Sequence, residues 1–339
     1  MAAQGEMRSS ESPAPGPGET PCASSIFQQP WWLDAVAPER WDEVAVTRGG
    51  RTVARLPYVV AGRGGARALT QPPSTATLGP WIEPTSRKTA KGLGLEMELL
   101  TELEAGLPPA RAFAQRFGPA VLNALPFHWA GYRLEVRYTY RIETPGSGED
   151  QWERLGDSAR RGIEAARRCL EIRDDLGLGR FEAVLAAASG TADGGTRAPR
   201  RALLERIDAA CASRGARWML FACDAAERVH AAAYVVFDDH GAHCLAGGGP
   251  EPAADEARSL LLWEAVRRAG TVTDVLDVGD PPDPRAERRL HAFGARPAPL
   301  LQVSRGLPRA AAELLTGTRG RLGARGRLGA RGRRRARGG

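Results

Sequence analysis

The stretch from Arg217 to Ala269 constrains the fold more than any other. Trp218–Cys223 predicts a strand, Ala225–Arg228 a polar turn and Val229–Phe237 a second strand. Asp238–Gly241 turns the chain into a third strand, Ala242–Gly249, and Asp255–Ala269 reads as a helix. Side chains alternate along a strand, so His230, Ala232, Tyr234 and Val236 share one face and Ala231, Ala233, Val235 and Phe237 the other. Both sets are largely apolar, which predicts an inner strand of a mixed sheet, covered on both sides. The third strand runs into Gly247-Gly248-Gly249-Pro250. There the backbone can splay from its neighbour and approach a ligand, and a helix starts at the open end.

The 339 residues allow two modest domains or one large one, and 42% apolar content is enough for real cores. No apolar run approaches bilayer-spanning length. Residues 1–24 lack the apolar centre of a secretory signal and are expected to be a disordered lead-in to a cytoplasmic protein. The five cysteines show no paired spacing, which fits reduced thiols. Nine arginines and no acid lie in Gly317–Gly339, so the net charge of +7 becomes −2 for the rest of the chain. The folded body is therefore not a basic nucleic-acid surface. The glycine- and arginine-rich tail is too polar to bury a core, and is expected to make at most nonspecific contact with nucleic acid or an anionic surface.

Earlier in the chain, Ser25–Leu33 predicts a short helix, and Val44–Arg48 and Thr52–Val60 flank a Gly49-Gly50 hairpin turn. Arg67–Thr70 reads as a strand, Lys88–Glu104 as a helix, Arg111–Phe117 as a short helix and Val121–Leu125 as a strand. Gly131–Ile142 alternates as a strand bridging the halves. Helices are expected over Ser158–Ile172, Phe181–Ala188 and Arg200–Ser213. Val272–Val278 is a strand, Asp283-Pro284 starts a helix that Gly294 stops, and Pro299–Val303 closes the sheet. Strand, tight turn, strand, strand and long helix occur twice, over Val44–Glu104 and Trp218–Ala269, as a duplicated α/β unit would give.

The order from Arg137 onward resembles the GNAT acyltransferase fold. Phe27-Gln-Gln-Pro-Trp-Trp-Leu33, Leu78-Gly-Pro-Trp81, Arg137-Tyr-Thr-Tyr140, Ser158-Ala-Arg-Arg161 and Arg289-Leu-His-Ala-Phe-Gly294 make it most similar to the FemAB/FemX-like branch, over roughly Ile26–Arg305. The resemblance implies an α/β (α+β, mixed-sheet) chain with two tandem GNAT-like domains, at 25–136 and 137–310, between disordered segments 1–24 and 311–339. It also implies transfer of an acyl or aminoacyl group from acyl-CoA, or from aminoacyl-tRNA, to an amine, with no metal. The family's Gln/Arg-x-x-Gly-x-Gly/Ala pyrophosphate motif falls on Pro252–Ala257. Ala257 fits, Pro252 and Asp255 depart from it, and Arg258 lies beside the site. Val278-Gly279-Asp280 stands where relatives often carry Glu-Gly-Ser.

Acyl transfer needs a deprotonated amine and a polarised carbonyl. Backbone N–H groups over Leu245, Gly247, Gly248 and Gly249, with Ala257 and Arg258, are the expected donor site; a plain strand end is the bland alternative. For the base, His230, Asp238, His243 and Asp277 are visible, and His230, Tyr234 and Asp238 are the residues chosen. A lone strand histidine is more often packed or surface-exposed, a strand tyrosine more often core, and Asp238 more often a turn residue. His240, His243 and Cys244 do not suit a metal, since His243 and Cys244 point to opposite faces. A binding protein that has kept the fold and lost donor affinity is the alternative of another class, favoured by Pro252 and Asp255.

Overall fold

A computed structural model describes residues 22–62, 67–85, 89–144, 148–189, 197–249, 255–280, 284–309, 311–312 and 316. The expected tails therefore lie almost wholly outside the described residues. At the start of the chain, however, Ala23 is already buried and the Ser24 N–H donates to Gln28 Oε1 at 2.8 Å, so the folded body begins before residue 25.

After a 3-10 turn at Ile26–Gln28, the N-terminal half comprises α1 (Pro30–Val36), β1 (Trp41–Arg48), β2 (Arg51–Ala61), β3 (Ala68–Thr70), β4 (Trp81–Ile82), α2 (Thr89–Ala105), β5 (Ala112–Phe117) and α3 (Leu125–Trp129). Then come β6 (Arg133–Glu143), α4 (Gly148–Glu153), α5 (Asp157–Arg167), β7 (Glu171–Arg173), α6 (Leu178–Ser189) and α7 (Arg197–Ala212). The predicted central unit is β8 (Arg217–Cys223), β9 (Val229–Asp238), β10 (Gly241–Gly248) and α8 (Asp255–Ala269). Then come β11 (Val275–Gly279), α9 (Pro284–Ala292) and β12 (Arg296–Arg305); past them Ala312 and Thr316 are buried and Gln71 Nε2 donates to the Thr316 carbonyl at 3.1 Å, so the folded body extends beyond residue 311.

All these strands join one mixed sheet in the order β1-β2-β3-β5-β12-β6-β11-β10-β9-β8-β7, with β4 on β2. The order reads nearly the same from either end. In each half, three antiparallel strands lead through a helix (α2 or α8) to a fourth strand parallel to the third: β3 with β5, and β10 with β11. Beyond the fourth strand the halves exchange partners. Last in the chain, β12 lies against β5 of the first half, while β6 lies against β11 of the second, and β12 pairs with β6 over nine residues at the centre. A boundary at 136/137 therefore falls inside β6.

Three apolar cores hold the layers together. One packs α5, α8 and α9 on the second half, around Leu260, Trp263, Val235 and Ile163. Another packs α2 and α3 on the first half, around Leu99, Leu103, Phe113 and Phe127. On the opposite face of the sheet, Ile26, Phe27, Trp32 and Leu33 pack against α6, α7 and β9, and also against Val59 and Leu78. This last core belongs to both halves. β9 is covered on both faces, as its two apolar rows predict: Val235 joins one core, and Tyr234 and Val236 another.

Two local expectations fail. Arg111–Phe117 is not a helix but β5, whose pairing with β3 and β12 buries Phe113 and Phe117. Val121–Leu125 is not a strand, since Val121 and Ala124 pack in an irregular approach to α3. The last residues of Ser158–Ile172 leave the helix and begin β7, a short edge strand on β8.

Candidate active site

Two parallel pairs of strands end in two gaps, and the sequence treats them differently. Past Thr70 the first gap is closed: Gln71 Oε1 accepts from the Arg116 N–H at 2.7 Å, and the Leu78 N–H donates to the Arg116 carbonyl at 3.0 Å. In the second, β10 and β11 pair only at Ala242–Leu276 and His243–Asp277. Beyond that step β10 stays on β9 as far as Gly248, β11 stays on β6, and no backbone hydrogen bond crosses between them among the described residues. The sheet opens here as a V with His243 and Asp277 at its apex.

Just past the apex Cys244 pairs with Val235 and Ala246 with Tyr234, leaving Leu245 as an extra residue. Such a bulge re-aims backbone groups that the ladder would otherwise use. Further along, Gly247 is exposed, Gly248 half-buried and Gly249 buried. A Cβ on Gly247 would stand 3.2 Å from the Ala232 carbonyl oxygen, so the backbone itself is the surface there.

On the α8 face of the V, Ala257 is wholly buried in the first turn of the helix. Asp255 does not stand as a bare negative charge: its carboxylate accepts from Arg289 Nη1 at 3.1 Å and has Arg258 Nη1 at 3.5 Å. The α8 tip therefore sets two guanidiniums against the two carboxylates of its first turn, Asp255 and Glu256. Beside it, the Tyr140 hydroxyl donates to Glu287, which raises the tyrosine's pKa, and His291 Nε2 lies 3.8 Å from the same carboxylate. Tyr140 is level with Gly279, at the open end of β11.

On the opposite face, His243 packs its ring on Phe27, with centroids 4.6 Å apart, and its buried Nδ1 has no hydrogen-bond partner among the described residues. Burial lowers its pKa; Asp277 acts against this and Arg141 adds to it. Asp277 accepts from the Thr139 hydroxyl and from the Gly279 N–H at 2.8 Å. Burial thus disfavours the imidazolium form beside a carboxylate fixed by two hydrogen bonds.

The three residues chosen from sequence for catalysis do not meet here. Tyr234 is wholly buried and donates to Asp208 Oδ1 at 2.8 Å beneath α7. His230 is half-exposed and bonds Asp224 Oδ2 at 3.0 Å, inside the β8–β9 turn. Asp238 sits in the β9–β10 turn, accepting from the His240 and Gly241 N–H groups, at the far end of β10 from the glycines; burial raises its pKa to about 6. Asp238, Asp239 and His240 bring ligand atoms within 4.8 Å of one another, a grouping that the sequence reading did not consider. Glu287, Arg289 and Thr139, which border the opening, were not among the sequence candidates, because what brings them here is pairing between distant segments.

No protein-family model and no curated protein matches the sequence. Solved structures do match. FemX superposes with a TM-score of 0.61 over 86% of this chain and 94% of its own, at 11% identity. The chain has a FemX-like, tandem GNAT-like fold. A conserved protein of unknown function from Bacteroides thetaiotaomicron VPI-5482 is similar at a TM-score of 0.50 (10% identity, 81% of this chain and 88% of that one). A tandem GNAT protein from the clavulanic acid biosynthesis pathway is also similar, at a TM-score of 0.47 (12% identity, 79% and 83%). Among the described residues no helix is long and apolar enough to cross a membrane.

Proposed function

We propose that the protein transfers an acyl group from acyl-CoA to an amine at the β10–β11 opening. The observation that carries this reading is the V itself: pairing that stops at His243–Asp277, a bulge at Leu245 immediately beyond, and exposed backbone at Gly247. Fixed N–H groups aimed at a carbonyl oxygen stabilise the charge that develops on it. The α8 tip suits the donor's phosphates, with Arg258 and Arg289 as cations and the helix dipole in the same sense. Neutral His243, poised by Asp277, takes the proton of the incoming ammonium. The amine nitrogen then bonds the carbonyl carbon, the carbon–sulfur bond breaks, and the thiolate leaves and takes up the second proton that the nitrogen sheds. Tyr140 lies on the donor face of the opening, where its hydroxyl relays that proton, giving one to the sulfur and regaining one from the nitrogen.

Aminoacyl-tRNA is the alternative donor, with an ester oxygen leaving instead of sulfur. A second reading, a binding protein without catalysis, is favoured by the Asp255 pairs, which occupy both arginines. Thermal melts with acetyl-CoA, CoA and aminoacyl-tRNA separate the three, because a ligand that binds only the folded state raises its melting temperature. A rise with acetyl-CoA and CoA supports the first reading, a rise with charged tRNA alone the second donor, and no rise with any of them the binding protein.

A further inference from the structure

From the proposed acyl transfer and the sheet face opposite α8, we infer that the acceptor is an amine that carries an oxyanion, a carboxylate or a phosphate monoester, at a fixed distance from its nitrogen. Register places Arg296, Arg141, Asp277 and His243 side by side on four neighbouring strands: Arg296 opposite Arg141, Arg141 opposite Asp277, Asp277 opposite His243. Partners in a ladder put their side chains on the same face. The Thr139 hydroxyl bond to Asp277 and the contact of His243 with Phe27 fix which face that is.

The charges in this row do not balance. Asp277 is its one carboxylate, and Oδ1 is already engaged by Thr139 and Gly279. Glu143, two residues beyond Arg141 on the same face, is exposed. Arg141 and Arg296 have no ion pair among the described residues, and Arg141 Nε is buried without a hydrogen-bond partner. Alongside them, Thr139 pairs with Ala298, two small residues on the same face. Two guanidiniums side by side recognise an oxyanion far better than a neutral group.

Spacing adds a length. Strands lie about 4.8 Å apart, so Arg141 on β6, level with His243, stands roughly 10 Å across the sheet from it on β10. An extended residue spans about 3.5 Å, so a dipeptide's amine-to-carboxylate distance of about 7 Å fits once side-chain reach is allowed, whereas an α-amino acid is too short.

The test uses the full chain and titration calorimetry with Gly-Gly, 3-aminopropyl phosphate, glycine and neutral glycylglycinamide. Gly-Gly or the aminoalkyl phosphate should bind at least tenfold tighter than glycylglycinamide, with the stronger of the two naming the oxyanion, and glycine should bind weakly. Arg141→Gln and Arg296→Gln should each abolish most of that preference while leaving the acetyl-CoA melting shift intact. Arg296 is exposed, so its replacement tests the idea even if Arg141→Gln fails to fold. Equal affinity for charged and neutral acceptors, no binding of any of them, or an unchanged preference in both variants overturns the inference. Loss of the donor shift in the unmodified protein, with oxyanion preference retained, overturns the acyl-transfer reading instead.

Discussion

At the residue scale, two buried polar side chains of similar appearance in sequence stand in different surroundings. His243 sits at the apex of the opening with a depressed pKa, so its basic form persists below the usual 6.5. For kcat at saturating acceptor, the acid limb should fall below pH 6.5, and His243→Gln should lower kcat by about 10²–10⁴-fold and erase that limb, leaving acetyl-CoA binding unchanged. Tyr234 is the contrast. Tyr234→Phe removes a hydroxyl bonded to Asp208, which keeps Arg217 as a partner at 2.7 Å. Melting should drop by about 2 °C, for a loss near 1 kcal/mol, with the transfer rate unaltered; a fall in rate would restore Tyr234 to the site. Asp224 supplies an acid-sensitive element. Its hydrogen bond to His230, then Arg228 and backbone N–H groups, hold its pKa well below the usual 3.8. On acidification the unfolded chain takes up this proton first, so the stabilisation is complete above the unfolded pKa and is lost as pH falls below it. Asp224→Asn should therefore flatten the decline in melting temperature below pH 4.

At the scale of elements, what sequence could show was set by how local the determining interactions are. Strands β8, β9 and β10 and helix α8 were legible because alternation, turn residues and helical spacing all lie within the segment. The six residues of β5 were not, because AFAQRF lacks clear alternation and becomes a strand only through β3 and β12, far away in the chain. The same limit applied to the site. Gly247–Gly249 marked the opening, but which histidine faced it depended on register across β9, β10 and β11, and so His230 was chosen over His243. The Asp255–Arg289 pair joins residues 34 apart and offsets the negative charge expected at the α8 tip. Asp255→Gly should release both guanidiniums and tighten CoA binding by about two- to fivefold, on the order of the 0.3–1 kcal/mol typical of charges at a helix end. Titration with CoA checks this, and weaker binding would mean that the arginines do not face the donor.

For the whole molecule, the exchange of β6 and β12 and the core shared by α1, α7, Val59 and Leu78 tie the halves into one body. Scanning calorimetry should give one transition, with calorimetric and van't Hoff enthalpies equal; two resolved transitions would show that the halves melt independently. The duplication was visible in sequence as a repeated hairpin and helix, while the exchange was not, since nothing in Arg296–Arg305 states which strand it will adjoin. That placement has a bearing on how the chain is made. The ribosome delivers β12 after every other described strand, yet its berth is the midline of the sheet, between two ladders that must wait for it. Until those ten residues emerge, β5 and β6 present bare edges to their surroundings, so the nascent protein is most prone to sticking to its neighbours in that interval.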